Sequence, residues 1–236
     1  MIFSTKRMYA IFQKDLKDLS KNMFIGTSII MPIVLAAFYG RMGVDTIDAY
    51  YLIINLAFAA VTAFVQCAMI AEEKEKNTLR GLMLSPASLS EILIGKSLVS
   101  FLLTVVTILI CLWLMEYQPA NLISIVLAIF LSTIFYIVLG TLLGLVTKSV
   151  VEASVVFLPV LFIFGFSSLL LGFTEKYPIL EVLKYLPNIQ IIDIANKVEQ
   201  GLAFSEIMSH YAIIGVWVVA LSILTVVVYK RRELDD

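Results

Sequence analysis

Apolar residues fall into six runs divided by polar stretches, at 23–39, 50–71, 98–115, 122–146, 150–173 and 211–229. A helix rises about 1.5 Å per residue, so about 20 apolar residues cross about 30 Å of hydrocarbon. The runs reach or approach that length and predict six transmembrane helices. The first is the shortest and holds Pro32, so a kink or an extension by interfacial residues is expected there. Residues 4–22 follow another rule. Met8, Ile11, Phe12, Leu16 and Leu19 recur at helical spacing, while Lys14, Lys17 and Lys21 share the opposite side with Asp18. This pattern predicts an interfacial helix, apolar face down and lysines towards lipid phosphates. Packing of the same helix on the protein itself is the alternative.

Most connections are short, at 41–49, 116–121 and 147–149; only 174–210 is long. Within it Ile179, Leu180, Leu183 and Leu186 form one apolar stripe. Ile191, Ile192, Ile194, Ala195, Val198 and Leu202 form another after Pro187, with Gly201 as a helix stop. Two short amphipathic helices on or partly in the outer leaflet are expected, suited to a gate or lid.

The segment 72–96 is richer than a turn requires. It reads Glu72-Glu73-Lys74-Glu75-Lys76-Asn77-Thr78-Leu79, then Leu84-Ser85-Pro86-Ala87-Ser88, then Glu91-Ile92-Leu93-Ile94-Gly95-Lys96. Ser-Pro is a helix-start signal, because proline's missing N–H would be unpaired in the first turn anyway. A folded element that grips something outside the membrane is expected here.

Composition agrees with the pattern. The 236 residues are 61% hydrophobic and 15% charged, whereas soluble domains are roughly half apolar and about a quarter charged. One polytopic membrane domain over 1–236 follows, with no soluble domain. The net charge of −1 gives no reason to expect nucleic acid. Its distribution says more. Lys6, Arg7, Lys14, Lys17 and Lys21 precede the first run, and Lys74, Lys76, Arg80 and Lys96 lie between the second and third. Lys148 follows the fourth, and Lys230, Arg231 and Arg232 end the chain. The other side receives only Arg41, Lys176, Lys184 and Lys197. The positive-inside rule therefore puts both termini and the 72–96 segment in the cytoplasm. No cleavable signal peptide is visible, since the run from Phe24 is a span that stays.

Candidate chemistry is sparse. Cys67 and Cys111 sit within apolar runs and read as small buried residues rather than a disulfide or metal ligands. Gly95-Lys96-Ser97 ends like a phosphate loop, but Ser90 stands where the first glycine belongs and Glu91-Ile92-Leu93-Ile94 cannot curl around phosphate. Lys96 is expected to snorkel at the interface. Gly165-Phe166-Ser167-Ser168 with His210 suggests a Ser–His protease, yet the second glycine of that pattern is Ser168. Gly140 and Gly144 favour close helix approach within the subunit. No coupling carboxylate lies at mid-depth; Glu152 is near a span end. The mid-span polar residues are mild: Asn55, Thr62, Gln66, Thr104, Thr107, Ser132, Thr133, Ser167 and Ser168. With the many phenylalanines they would suit a cavity for apolar or amphipathic cargo, or else face lipid or neighbouring helices.

Over essentially its full length the chain resembles the type-2 (ABC-2) permease subunits of ATP-binding-cassette exporters. The residues that carry the resemblance are Glu72-Glu73-Lys74-Glu75, Thr78-Leu79, Leu84-Ser85-Pro86, Ser88, Glu91-Ile92 and Gly95-Lys96, in order, with Leu186-Pro187 in the outer segment. The resemblance implies a permease with no ATPase of its own and no bound cofactor. Two permease subunits, identical or similar, would pair with two cassette ATPases that hold ATP and magnesium. Residues 86–93, capped by Ser85, would form a coupling helix seated on the ATPase. Glu72, Glu73, Glu75, Thr78, Leu79, Ser88 and Glu91 would belong to that contact, the carboxylates reaching basic residues on the ATPase or on the N-terminal helix. Leu186 and Pro187 would mark an outer gate. The implied function is export through the cell membrane of a peptide, bacteriocin or hydrophobic drug. Alternatives are a secondary transporter of a small hydrophobic solute, or an ABC permease for a glycan or lipid-linked cargo.

Overall fold

The computed structural model describes residues 4–19, 23–76, 78 and 88–235, and every regular element among them is helical. Five helices are long and apolar enough to cross a membrane, and a sixth apolar helix, at Ile25–Arg41, is shorter. The chain is an all-helical integral membrane protein.

The bundle is organised around the second apolar run. Helix α3 (Ile47–Ala57), a π-helical segment (Phe58–Ala63) and α4 (Phe64–Glu75) form one unbroken helix. It extends past both ends of the expected 50–71 run, and its most apolar stretch is wholly buried. Thr46 starts it, its hydroxyl accepting from Ala49 N. The other helices surround this axis: α2 (Met23–Arg41), α5 (Leu89–Leu114), α6 (Leu122–Val146) and α7 (Val150–Leu171). Helix α9 (Phe204–Asp235) packs on α6.

Between apolar helices in lipid, association rests on close van der Waals packing and on interhelical hydrogen bonds. Both are present. A Cβ on Gly140 would lie 2.3 Å from Ala63 O, and one on Gly144 2.8 Å from Cys67 O. The small-residue face of α6 is therefore used inside the subunit, against the axis helix. The mild polar residues close the same seams. Thr62 and Thr104 share a 2.7 Å hydrogen bond, Ser100 Oγ donates to Gln66 Oε1, and Gln66 Nε2 donates to Thr141 Oγ1. These bonded residues face neighbouring helices; of the mild polar set, Ser168 lines a cleft at one end of the bundle.

Boundaries follow caps. Asn121 accepts from Ser124 N and starts α6 at Leu122, as the pattern predicts. Ser149 does the same for α7 through Glu152 N, while Glu152 accepts from Lys148 N at 2.7 Å. Helix α5 departs from expectation. It starts at Leu89, nine positions before the apolar run, because Ser88 and Glu91 make a reciprocal capping box. Residues 89–93 are thus the first turns of α5 and not the end of a separate helix capped by Ser85. Leu79, Ser85 and Pro86 lie outside the described residues, as does Lys21.

The long connection forms a 3₁₀ segment (Pro178–Tyr185) and α8 (Pro187–Glu199). Gly201, with φ +72°, ends this unit in the left-handed conformation that suits glycine. The 3₁₀ segment is superficial, with Ile179 and Val182 exposed. Helix α8 is not. Ile189, Ile191, Ile192, Ile194, Ala195 and Val198 are buried against α3, α6 and α9. The expectation was a helix on or partly in the outer leaflet; α8 instead packs among the other helices of the bundle. The reason is polar as well as apolar: Asn55 Nδ2 donates to Asn188 O at 3.0 Å, and Asn188 Nδ2 donates to Ser167 Oγ.

Candidate functional site

Helix α1 (Thr5–Leu19) buries Ile11, Asp15 and Leu19, a line spaced by four residues, and rests on α5. The crossing is tight: a Cβ on Gly95 would meet Met8 O at 3.0 Å and Ile11 Cβ at 3.1 Å. One face of α1 therefore packs on protein, while Tyr9 and Leu16 stay exposed.

A carboxylate in the middle of that buried line needs a counter-charge, and α5 supplies it. Lys96 Nζ lies 2.9 Å from Asp15 Oδ2 and 2.8 Å from Glu73 Oε1 on α4. Lys14 Nζ closes the group at 2.7 Å from Glu73 Oε1 and 3.4 Å from Asp15 Oδ1. Two cations thus face two anions across three helices. Burial opposes the Lys14 charge, yet the hydrogen bonds and charges of Glu73 and Asp15 outweigh it and hold its ammonium above the ordinary value. Lys96 is only 1% exposed, so it does not snorkel. A snorkelling lysine needs a path to water, and here α1 covers the path. Lys14, half-exposed, takes Glu73 as a partner within the protein.

A second ionic contact sits at the start of α5. Arg7 grips Glu91 with two nitrogens, Nε to Oε2 at 3.0 Å and Nη2 to Oε1 at 2.8 Å. Glu91 also accepts from Ser4 N and Ser88 N, at 2.5 and 2.7 Å. One fully buried carboxylate therefore caps two helix starts and binds an arginine; paired bonds of this kind add geometric specificity.

The remaining acidic residues of the 72–96 segment are used differently. Glu75 Oε2 accepts from Val150 N at 2.9 Å, at the start of α7. Glu72 pairs with Lys76 at 2.5 Å on an exposed helix face. Thr78 Oγ1 donates to Glu73 O at 3.3 Å. Lys74 reaches the carbonyls that end α6, at 2.7 Å from Leu145 O, 3.5 Å from Gly144 O and close to Thr147 O. So Glu73, Glu75 and Glu91 are engaged within the chain, and Glu73 takes the N-terminal helix as its partner. Lys17 remains exposed on α1.

Asp15 is not singled out by the sequence, and Lys74 enters only through the Glu72–Glu75 motif and the charge distribution, with no role of its own. The signal for Asp15 was its place midway between Ile11 and Leu19; a carboxylate in an apolar four-spaced line demands a partner. For Lys74 there was none, since the acceptors are backbone carbonyls 70 residues away.

Far from α1, Leu186 precedes α8 with its side chain half-buried, and Pro187 is the first, buried, residue of that helix. Ser167 is bonded to Asn188, and His210 Nδ1 lies 2.7 Å from Gln190 Oε1. Both members of the conjectured protease pair thus bond to α8 and not to each other. The Gly-Lys-Ser sequence lies inside the continuous α5, with Gly95 wedged against α1, and forms no loop.

The model of a family described as "ABC-2 family transporter protein" matches residues 13–227. No curated protein matches the chain. The match starts within α1, takes in both ionic contacts' α4 and α5 residues, and ends within α9. This chain is a member of the ABC-2 transporter family, whose proteins are the membrane subunits that work with a cassette ATPase.

Proposed function

We propose that this chain is the permease subunit of an ABC exporter, moving an amphipathic or hydrophobic cargo out of the cell with ATP hydrolysed by separate cassette ATPases. In this reading α2 is a sixth span, both termini lie in the cytoplasm, and the protein sits in the plasma membrane. Two permeases, identical or similar, pair with two ATPases that carry the ATP and magnesium. The lysine distribution supports the orientation.

The observation that carries the reading is the ion group of Asp15, Lys96, Glu73 and Lys14. It binds α1 to the last turn before, and the first turns after, the segment that would touch the ATPase. A push on residues 79–87 would then move α1, α4 and α5 as one block. Glu75 and Lys74 extend that block to α7 and α6. Rigid-body displacement of packed helices is an established way to pass a closure at one site to another.

The test uses the complex purified in mild detergent from its own cells and reconstituted in vesicles. Asp15→Leu with Lys96→Met leaves the ATPase attached and its basal activity in place, but cargo no longer stimulates it. Full stimulation in that variant contradicts the reading.

A further inference from the structure

A cleft of about 660 Å³ opens at the end of the bundle remote from α1. Its walls come from three places: the α2–α3 hairpin, the last turns of α7, and one face of α8. Tyr39, Leu52, Leu169 and Ile192 give it an apolar body, and Asp48 and Asp193 stand in its lining. Binding clefts have this form, with mostly apolar walls and a few polar groups that fix orientation.

The two carboxylates have little to neutralise them. Asp48 lies in the first turn of α3, where the helix dipole favours an anion, and it has no hydrogen bond or ion pair among the described residues. Within salt-bridge distance Asp193 Oδ2 meets only His210 Nδ1, at 3.9 Å, a nitrogen already hydrogen-bonded to Gln190, while the charge of Lys197 reaches it through space from farther off. Lys197, one turn further along α8, donates instead to Glu206 O at 3.2 Å. No described cation closes on either carboxylate within salt-bridge distance, apart from that histidine.

We propose that this cleft binds an amphipathic cation, its ammonium end held by Asp48 and Asp193 and its apolar body against Leu52, Leu169 and Ile192. Charge complementarity selects the cation and the walls select the attached apolar group. The proposal rests on the exporter reading only for its place on the exit side; binding itself requires no ATPase. Under both readings together, the cleft is a station for cationic amphipathic cargo leaving the membrane.

The test uses the whole chain in phosphatidylcholine nanodiscs, with dansylcadaverine as a fluorescent probe that joins an aromatic body to a primary ammonium. Its N-acetyl derivative has the same body without charge. The amine binds saturably, and the acetylated probe binds about tenfold more weakly, the loss expected for one charge-assisted contact. Asp48→Asn with Asp193→Asn weakens the amine by at least about tenfold, while Asp193→Glu retains it. Leu169→Trp, which fills the cleft and keeps both carboxylates, abolishes binding of both probes. Equal affinity for the two probes on the native chain overturns the proposal, and this comparison stands even where a variant fails to fold. Unchanged amine affinity in a folded double variant overturns it too. Adding phosphatidylethanolamine separates two sources of the same chemistry: displacement of the probe identifies a lipid ammonium as an occupant, and no displacement leaves a cargo ammonium. Both results uphold the site. Because no ATPase is present, failure of this binding leaves the exporter reading standing, and failure to find an ATPase leaves the binding result standing.

Discussion

Lys96 Nζ on α5 lies 2.8 Å from Glu73 Oε1 on α4, and both side chains are buried beneath α1. The two residues bracket the segment 74–95, so their contact closes a long excursion of chain on itself. Asp15 on α1 shares the same ammonium at 2.9 Å. The pair is therefore a three-helix junction rather than a surface ornament.

Removing one partner of a buried ion pair leaves the other uncompensated, a loss of about 3–5 kcal/mol. Lys96→Met is expected to destabilise by that order, with a clear drop in melting temperature in detergent. Replacing the three buried members together, as Asp15→Leu, Glu73→Leu and Lys96→Met, is expected to recover most of the loss, because the one charge left, Lys14, is half-exposed and keeps Asp18 at 3.8 Å. Thermal unfolding of the two variants checks the difference; equal melting temperatures would count against the junction.

Gly140→Ala puts a methyl 2.3 Å from Ala63 O, a backbone atom that cannot step aside. Overpacking of this kind costs about 1–3 kcal/mol. The expected result is a lower melting temperature with the oligomeric state unchanged, since the contact is inside one subunit. Dissociation of an oligomer at full thermal stability would place the glycine at a subunit seam instead.

Lys74→Met removes the ammonium from the carbonyls of Gly144, Leu145 and Thr147. A lost charge-assisted hydrogen bond at a helix end is worth about 1.5–3 kcal/mol. Hydrogen–deuterium exchange should rise in the last turn of α6 and the first of α7, and not at the opposite ends. Unaltered exchange would show that Lys74 does not hold this corner.

Orientation is open to labelling. Lys148→Cys and Gln118→Cys place thiols in the two turns that flank α6, while the native Cys67 and Cys111 are buried. In intact cells a membrane-impermeant maleimide should label Gln118→Cys and spare Lys148→Cys until the membrane is opened. The reverse pattern would invert the topology.

Much of this fold was readable along the chain. Helix α6 occupies 122–146 as its apolar run predicts, because Asn121 and Thr147 are polar residues that cap its two ends. The start of α5 was not, since Ser85-Pro86 and Ser88–Glu91 are both helix-start signals and only folding chooses between them. Burial was the hardest property to read. An amphipathic stripe states that one face is apolar, but not whether lipid or protein covers it. That is why α8 was expected on or partly in the outer leaflet and Lys96 at the interface. Both lie inside, each held by partners distant in sequence, Asn55 in one case and Asp15 in the other. The π-helical turn at Phe58–Ala63 left no mark on the apolar pattern at all.

Co-purification decides whether the chain works with a cassette ATPase. The tagged chain is extracted from its own membranes in mild detergent, and everything retained is identified by mass spectrometry. A cassette ATPase is expected in amounts equal to the permease, with a second permease present if the assembly is a heterodimer. Retention of no ATPase, under conditions that keep another ABC complex together, would contradict it.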